Sequence, residues 1–367
     1  YQPLIKFHPH PAIITQVLSI FAAEMRWALA ILVLFFLSGC NSARQAPVVS
    51  ASEYASYFEV QDSIVKVISP YDTSVDTLWV LEPMDRIICM SSSSVAALEA
   101  IGAVDAVSAV SGLRYITDES IHERCVPDIG YENSLDYETV LSLNPDILVA
   151  YTVSGTEPPY LSKLRSLGIR VLVIHDHLEQ HPLARAEYVR LFGALTGRLA
   201  AADSVFSAVR DRYESLASSV DHSEPVKVLM NIPYGDAWYI PGADSYMARL
   251  IRDAGGEVLG AEPGTSRSRV INMEQAYALS SDADMWLNPG HCRSIVELTE
   301  SHHFFNRFGP VVKGQPVFNN TLRTTDGGGN DFWETGAVRP DLILEDLLSI
   351  FSESPADSLN YFFRLDQ

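Results

Sequence analysis

The chain has 367 residues, 47% of them hydrophobic, and its 46 acidic side chains against 26 basic ones give a formal net charge of −20. That length exceeds what one hydrophobic core usually serves, so two domains are expected. The acidic balance excludes nucleic acid as a partner: a phosphate backbone is held by lysine and arginine, and no basic stripe with interleaved aromatics occurs.

In chain order, Met25-Arg26 leads into WALAILVLFFLSGC. A short charged start, an apolar run and small residues before a cysteine make a secretory signal. The run falls short of the ~20 apolar residues that a permanent membrane span needs. Leu37-Ser38-Gly39-Cys40 resembles a bacterial lipobox, which implies that Cys40 is lipidated and becomes the new N-terminus. Residues 1–24 are then expected to lie upstream of the true start, 25–39 to be the signal peptide, and 40–62 to be the lipidated cysteine with a Ser/Ala-rich tether. The other cysteines, Cys89, Cys125 and Cys292, show no Cys-x-x-Cys spacing, and whether Cys125 and Cys292 pair stays open.

A strand pair, SIVKVIS and DTLWVLE, comes next, and then short apolar runs alternate with helical stretches: RIICMS, SVAALEAIG, AVSAVSG, DYETVLSL, DILVAY, YLSKLRSLG, RVLVIHD. Strands alternating with helices predict βαβ units and a mostly parallel sheet, here an N-terminal α/β lobe over 63–180. From Pro182 to about Ser218 apolar residues recur at spacings of three and four, which predicts a long bridging helix over 181–220, with Gly193 and Gly197 as candidate breaks. Alternation resumes in VKVLMNI, YMARLIRDAGG, EQAYALS, DMWLNPG, SIVELTES and PVFNN, and closes on the amphipathic DLILEDLLSIF. This predicts a C-terminal α/β lobe over 221–352, followed by a tail at 353–367. The fold class is therefore α/β: two Rossmann-like lobes with mostly parallel sheets, joined by a long helix.

One stretch occurs in both lobes: LDYETVLSLNPDILVAY at 135–151 and INMEQAYALSSDADMWL at 271–287. Asp136 and Asn272 are good N-caps, and Asn272 with Gln275 fits a capping box. Glu138 and Glu274 fall in the first turn, where the helix dipole stabilises a carboxylate by ~0.3–1 kcal/mol. The second copy carries two extra residues before its aspartate, Asp284.

The succession from DRIICMSSSSVAALEAIGAVDAVSAVSG through VPDIGYENSLDYETVLSLNPDILVAY, LSKLRSLGIRVLVIHD and SRVINMEQAYALSSDADMWLNPG to VKGQPVFNN and RPDLILEDL resembles the substrate-binding lipoproteins of ABC importers for ferric siderophores, haem and cobalamin. The similarity spans roughly residues 82–352. It implies the class III periplasmic-binding-protein fold and an iron complex, ferric siderophore or haem, held between the lobes, with a corrinoid as the alternative. Either is cargo, so no cofactor is expected. The resemblance further implies an ABC permease and its ATPase as partners, a monomer, and a place on the periplasmic face of the cell envelope through the lipid on Cys40. Glu138 and Glu274 occupy the positions at which each lobe of such proteins docks onto permease arginines.

Ligands of open α/β sheets bind beyond the carboxyl ends of the strands. The loops there carry Tyr115, Tyr131, Tyr151, Tyr234, Trp238, Tyr239 and Trp333, a concentration of aromatics suited to a planar or chelated ligand. The run Ser91 to Ser94, with Ser92 and Ser93 as the site candidates, precedes a helix and can either offer hydroxyls and N–H groups to an anion or serve as an ordinary N-cap. Arg114, Arg293 and Arg323 bear on ligand type: two of them converging would favour an anionic iron complex, none a neutral corrinoid. His291 is a candidate for coordination or for capping its loop. A bare Zn²⁺ or Mn²⁺ would need three or four donors from both lobes, for which His175, His177, His181, His302 and His303 are the histidine sources. No Gly-x-Ser-x-Gly, His-Glu-x-x-His or phosphate loop occurs, and DGGGND lacks the strand-then-helix setting of a dinucleotide fingerprint, so no enzyme is expected.

Overall fold

Apolar runs form the strands of the two large sheets, where both faces can be covered. In the computed structural model, which describes residues 52–352 and 358–366, β1 (Phe58–Gln61), β2 (Ile64–Ile68) and β3 (Val75–Trp79) form an antiparallel meander. Next come β4 (Ile87–Cys89), β5 (Val107–Val110), β6 (Ile147–Tyr151) and β7 (Val171–Ile174), all parallel and ordered β5-β4-β6-β7. These strands are buried almost throughout, as a parallel sheet with helices on both faces requires. The chain continues through β8 (Val226–Met230), β9 (Trp238–Ile240), β10 (Gly256–Val258), β11 (Arg269–Ile271), β12 (Met285–Leu287), β13 (Val317–Asn319) and β14 (Phe363–Arg364). β9 and β11 make a separate antiparallel ribbon, and the others form a sheet ordered β10-β8-β12-β13-β14 in which only β14 is antiparallel.

Both large sheets are wound alike, the first strand inside, its successor on one flank and the next two on the other. The switch points lie between β4 and β6 and between β8 and β12, where a crevice opens.

This winding accounts for the repeated stretch. The helices Tyr137–Leu143 and Met273–Ser280 each lead into the strand beside the switch point, β6 and β12. Asp136 caps the first through the N–H groups of Glu138 and Thr139, and Asn272 and Gln275 form a reciprocal capping box on the second. Past each helix an aspartate reaches the neighbouring strand. Asp146 accepts the N–H groups of Asp85 and Arg86 at 3.1 and 3.0 Å, and Asp284 accepts that of Lys227 at 2.9 Å. Of the two extra residues of the second copy, one lengthens its helix to eight residues against seven and the other falls in the turn that follows.

The connection between the lobes is three helices, Pro182–Ala186, Tyr188–Thr196 and Leu199–Ser218. Breaks fall at Glu187 and at Gly197, which has φ +70. Gly193 is no break: it sits inside its helix, and a Cβ there would lie 2.6 Å from the Cβ of Ala202, so it lets two helices approach closely. The last helix, 20 residues long and thus ~30 Å, packs against Tyr188–Thr196 on one side and against Pro340–Phe351 of the second lobe on the other.

Two segments expected to be loose are built in. Residues 53–57, placed in the tether by their composition, are pinned by buried carboxylates: Glu187 accepts the N–H groups of Glu53, Tyr54 and Ala55 at 2.8–2.9 Å, and Glu179 those of Ser56 and Tyr57. Of the expected tail, residues 358–366 bring Tyr361 and Phe362 into the core, and Asp346 accepts the N–H groups of Asn360, Tyr361 and Phe362. Cys40 and the signal segment lie outside the described residues.

Candidate functional site

At the carboxyl ends of β4 to β7 lies a cavity of about 350 Å³. Its floor is polar and self-paired. Ser91 caps the helix Ser92–Ala100, its hydroxyl lies 2.7 Å from that of Ser93, and Ser93 donates to Asp176 at 2.9 Å. The same carboxylate oxygen of Asp176 is 3.4 Å from Arg185 Nε, and both side chains are nearly buried. Beside them His177 stands 4.0 Å from Asp176. Burial lowers the His177 pKa below its ordinary 6.5, Asp176 opposes this and Arg185 adds to it, so the imidazole is neutral at pH 7.

The walls are aromatic. The rings of Tyr115 and Tyr131 are 6.1 Å apart, and Tyr151 meets His177 edge-on at 5.6 Å. Trp333 arrives from the second lobe with the Arg185 guanidinium 5.9 Å from its ring. Burial raises the phenols of Tyr131 and Tyr151, so both stay protonated hydrogen-bond donors. Asp128 braces this wall by accepting the N–H groups of Gly112, Leu113 and Gly130 at 2.9 Å. Gly112, at φ +75, allows the approach: a Cβ there would stand 2.7 Å from the Tyr131 hydroxyl.

Of the residues singled out in the sequence, Ser92, Ser93, Tyr115, Tyr131, Tyr151 and Trp333 line this one cavity. Arg114 stands next to it, its guanidinium 4.6 Å over the Tyr115 ring and donating to that hydroxyl. Others are elsewhere. Trp238 is fully buried, donates its indole N–H to the Met230 carbonyl at 2.8 Å, and stacks on Trp286 and Phe308, because pairing of β9 with β11 turns it into the second lobe's core. Arg323 is taken by Asp331 at 2.6 Å, and Arg293 lies over the Phe363 ring at 4.8 Å. Tyr234, Tyr239 and His291 are exposed and outside the cavity lining. Sequence reasoning missed Asp176 and Arg185, and weighed His177 only among the histidines for a bare metal ion. The strand-exit rule extends to the loop after β7 and would have found Asp176 and His177, whereas Arg185 sits within the helix Pro182–Ala186 and no pattern marks it.

Glu138 and Glu274 are exposed at equivalent first-turn positions, and neither carboxylate has a side-chain partner among the described residues. Cys89, Cys125 and Cys292 are free thiols. Among the described residues no three His, Cys, Asp or Glu side chains converge to hold a metal ion, and no helix is long and apolar enough to cross a membrane.

Two α/β lobes of matching winding, with a cavity at the strand ends, define a ligand-binding protein rather than a single-sheet domain. The chain belongs to the periplasmic binding protein family, whose model matches residues 87–319. An uncharacterized lipoprotein of Methanocaldococcus jannaschii is 26% identical over 281 residues, covering 73% of this chain and 65% of that protein. A cobalamin-binding protein of Halobacterium salinarum is 27% identical over 164 residues, 44% of this chain and 42% of that one. The chain thus spans less than two thirds of the length of these relatives. A periplasmic heme binding protein from Pseudomonas aeruginosa shares the fold, with a TM-score of 0.58 at 19% identity over 77% of this chain and 99% of that one.

Proposed function

We propose that this protein is the substrate-binding component of an ABC importer, which takes a metal chelate into the cavity beyond β4 to β7 and hands it to a permease and its ATPase. Family membership supports the class of protein. The observation that bears on the ligand is the pairing of Arg185, the guanidinium in the cavity lining, with Asp176 at 3.4 Å. The pair carries no net charge and so offers little to a strongly anionic ligand, although Arg185 Nε makes no hydrogen bond. Arg293 and Arg323 are engaged elsewhere, and only Arg114 stands near the cavity. By that criterion the balance moves from an iron complex to a near-neutral corrinoid held between aromatic faces, in keeping with the halobacterial relative. Haem or another iron complex is the second reading, favoured by neutral His177 and the phenols of Tyr115, Tyr131 and Tyr151, which are donors that iron accepts. A lipid on Cys40 would hold the protein at the outer face of the inner membrane, and the Methanocaldococcus relative named as a lipoprotein supports that placement.

The test is a visible spectrum of the protein after mixing with cyanocobalamin, a ferric catecholate, a ferric hydroxamate or haem, each followed by desalting. Retention of about one cyanocobalamin per chain is the expected result. Retention of an iron complex instead would install the second reading, and no colour from any of the four would overturn both.

A further inference from the structure

The loop that carries Trp333 to the cavity is fastened to the first lobe along its length. The Thr325 hydroxyl donates to the Arg114 carbonyl at 2.6 Å. At Gly327 and Gly329 the backbones are so close that added Cβ atoms would lie 2.4 and 2.2 Å from the carbonyl oxygens of Arg114 and Tyr115. The Thr117 hydroxyl donates to Asp331 at 3.1 Å. The last fastening is Glu334, only 1% exposed. One of its oxygens accepts the Thr117 N–H at 2.8 Å, and the other accepts those of Thr117 and Asp118, both at 3.1 Å. Glu334 directly follows Trp333, and Thr117 directly follows Ile116; Trp333 and Ile116 both line the cavity.

We propose that Glu334 is a positioning residue that sets the width of the ligand cavity by clamping the Trp333 wall of one lobe to the Tyr115–Ile116 wall of the other. The proposal rests on that cavity being the ligand site, yet the clamp exists without ligand and is measurable without it.

The clamp has a built-in proton dependence. Burial, the largest influence, pushes the Glu334 carboxyl up to about 7, the N–H groups of Thr117 and Asp118 pull it down, and Asp331 on the same loop raises it again. Glu99, Asp118 and Glu119 face it from the first lobe, and the nearby cation Arg323 is held by Asp331. Opening the clamp returns Glu334 to water and to its ordinary 4.5. The closed clamp therefore binds the proton more tightly than the open one. Closure is favoured most below the ordinary carboxylate value and weakens as pH rises through about 7.

Amide hydrogen exchange of the segment 112–121, expressed as protection relative to intrinsic rates, tests this. In the unaltered protein, protection at Thr117 and Asp118 should fall at least about tenfold from pH 5 to pH 8. Glu334→Gln, which keeps a carbonyl acceptor but no titrating proton, should hold that protection at both pH values. Glu334→Ala should lose it at both, while the β4 and β6 amides stay protected. Protection that ignores pH in the unaltered protein, or that survives in Glu334→Ala, overturns the clamp. Should the alanine variant fail to fold, the comparison of the unaltered protein with Glu334→Gln decides alone. Cyanocobalamin release should follow the same order across the variants. A protein that binds none overturns the corrinoid reading, while the exchange data still judge the clamp.

Discussion

Several carboxylates in this protein accept backbone N–H groups from other segments of the chain. Glu187 and Glu179 take those of residues 53–57, Asp346 those of 360–362, and Asp146 those of 85 and 86. A buried N–H without an acceptor costs about 1–3 kcal/mol, so each carboxylate holds its segment more firmly than its own burial suggests. Asp146→Ala should lower stability in urea by about 1 kcal/mol, the low end because the site is partly open to water. Asp146→Asn, which keeps one acceptor, should lose less, and an alanine variant as stable as the parent would mean that water replaces the carboxylate freely. These partnerships were invisible in the sequence because they join separate segments, 14–16 positions apart at Asp346, some sixty at Asp146 and more than a hundred at Glu187 and Glu179. Local caps were legible: Asp136 and Asn272 act on N–H groups two or three residues on, so their chemistry is written next to them.

Among elements, buried strands of the two large sheets were readable even at three residues, and the short ribbon and edge strands of the second lobe were not. The runs that became β4, β6, β7, β8 and β12 stand out as apolar blocks, whereas β9, β11 and β14 span two or three residues and show no period. Missing β9 is what placed Trp238 at a ligand when it is a core residue. In the connecting helices the spacing was correct but glycine was misread, since Gly193 serves close packing rather than a break. Gly193→Ala sets two effects against each other. Alanine gains about 1 kcal/mol of helix propensity, whereas overpacking costs about 1–3 kcal/mol. With a 2.6 Å approach to the Ala202 Cβ, the clash should win and the melting temperature should fall. A rise would show that the two helices can slide apart at little cost.

For the whole molecule, two lobes joined by a helical connection and clamped through the loop 325–334 should move little on ligand binding. Solution scattering should therefore show no marked contraction when a retained ligand is added; a large one would mean that the clamp opens widely in solution. Glu138 and Glu274, exposed, one per lobe and without a side-chain partner among the described residues, would suit electrostatic docking on the proposed permease, where such charges set register and on-rate. Changing both to alanine should leave ligand retention intact and abolish uptake by the reconstituted importer, and weakened retention would count against a docking role. By itself the sequence determined the α/β class, the two matched lobes and most aromatics of the cavity, because hydrophobic period, caps and strand-exit position are local properties of a chain. Only the tertiary structure decided which side chains meet. The pairing of Arg185 with Asp176, the withdrawal of Trp238 into the core and the Glu334 clamp all depend on how separate segments pack, and packing between segments leaves no periodic trace in a sequence.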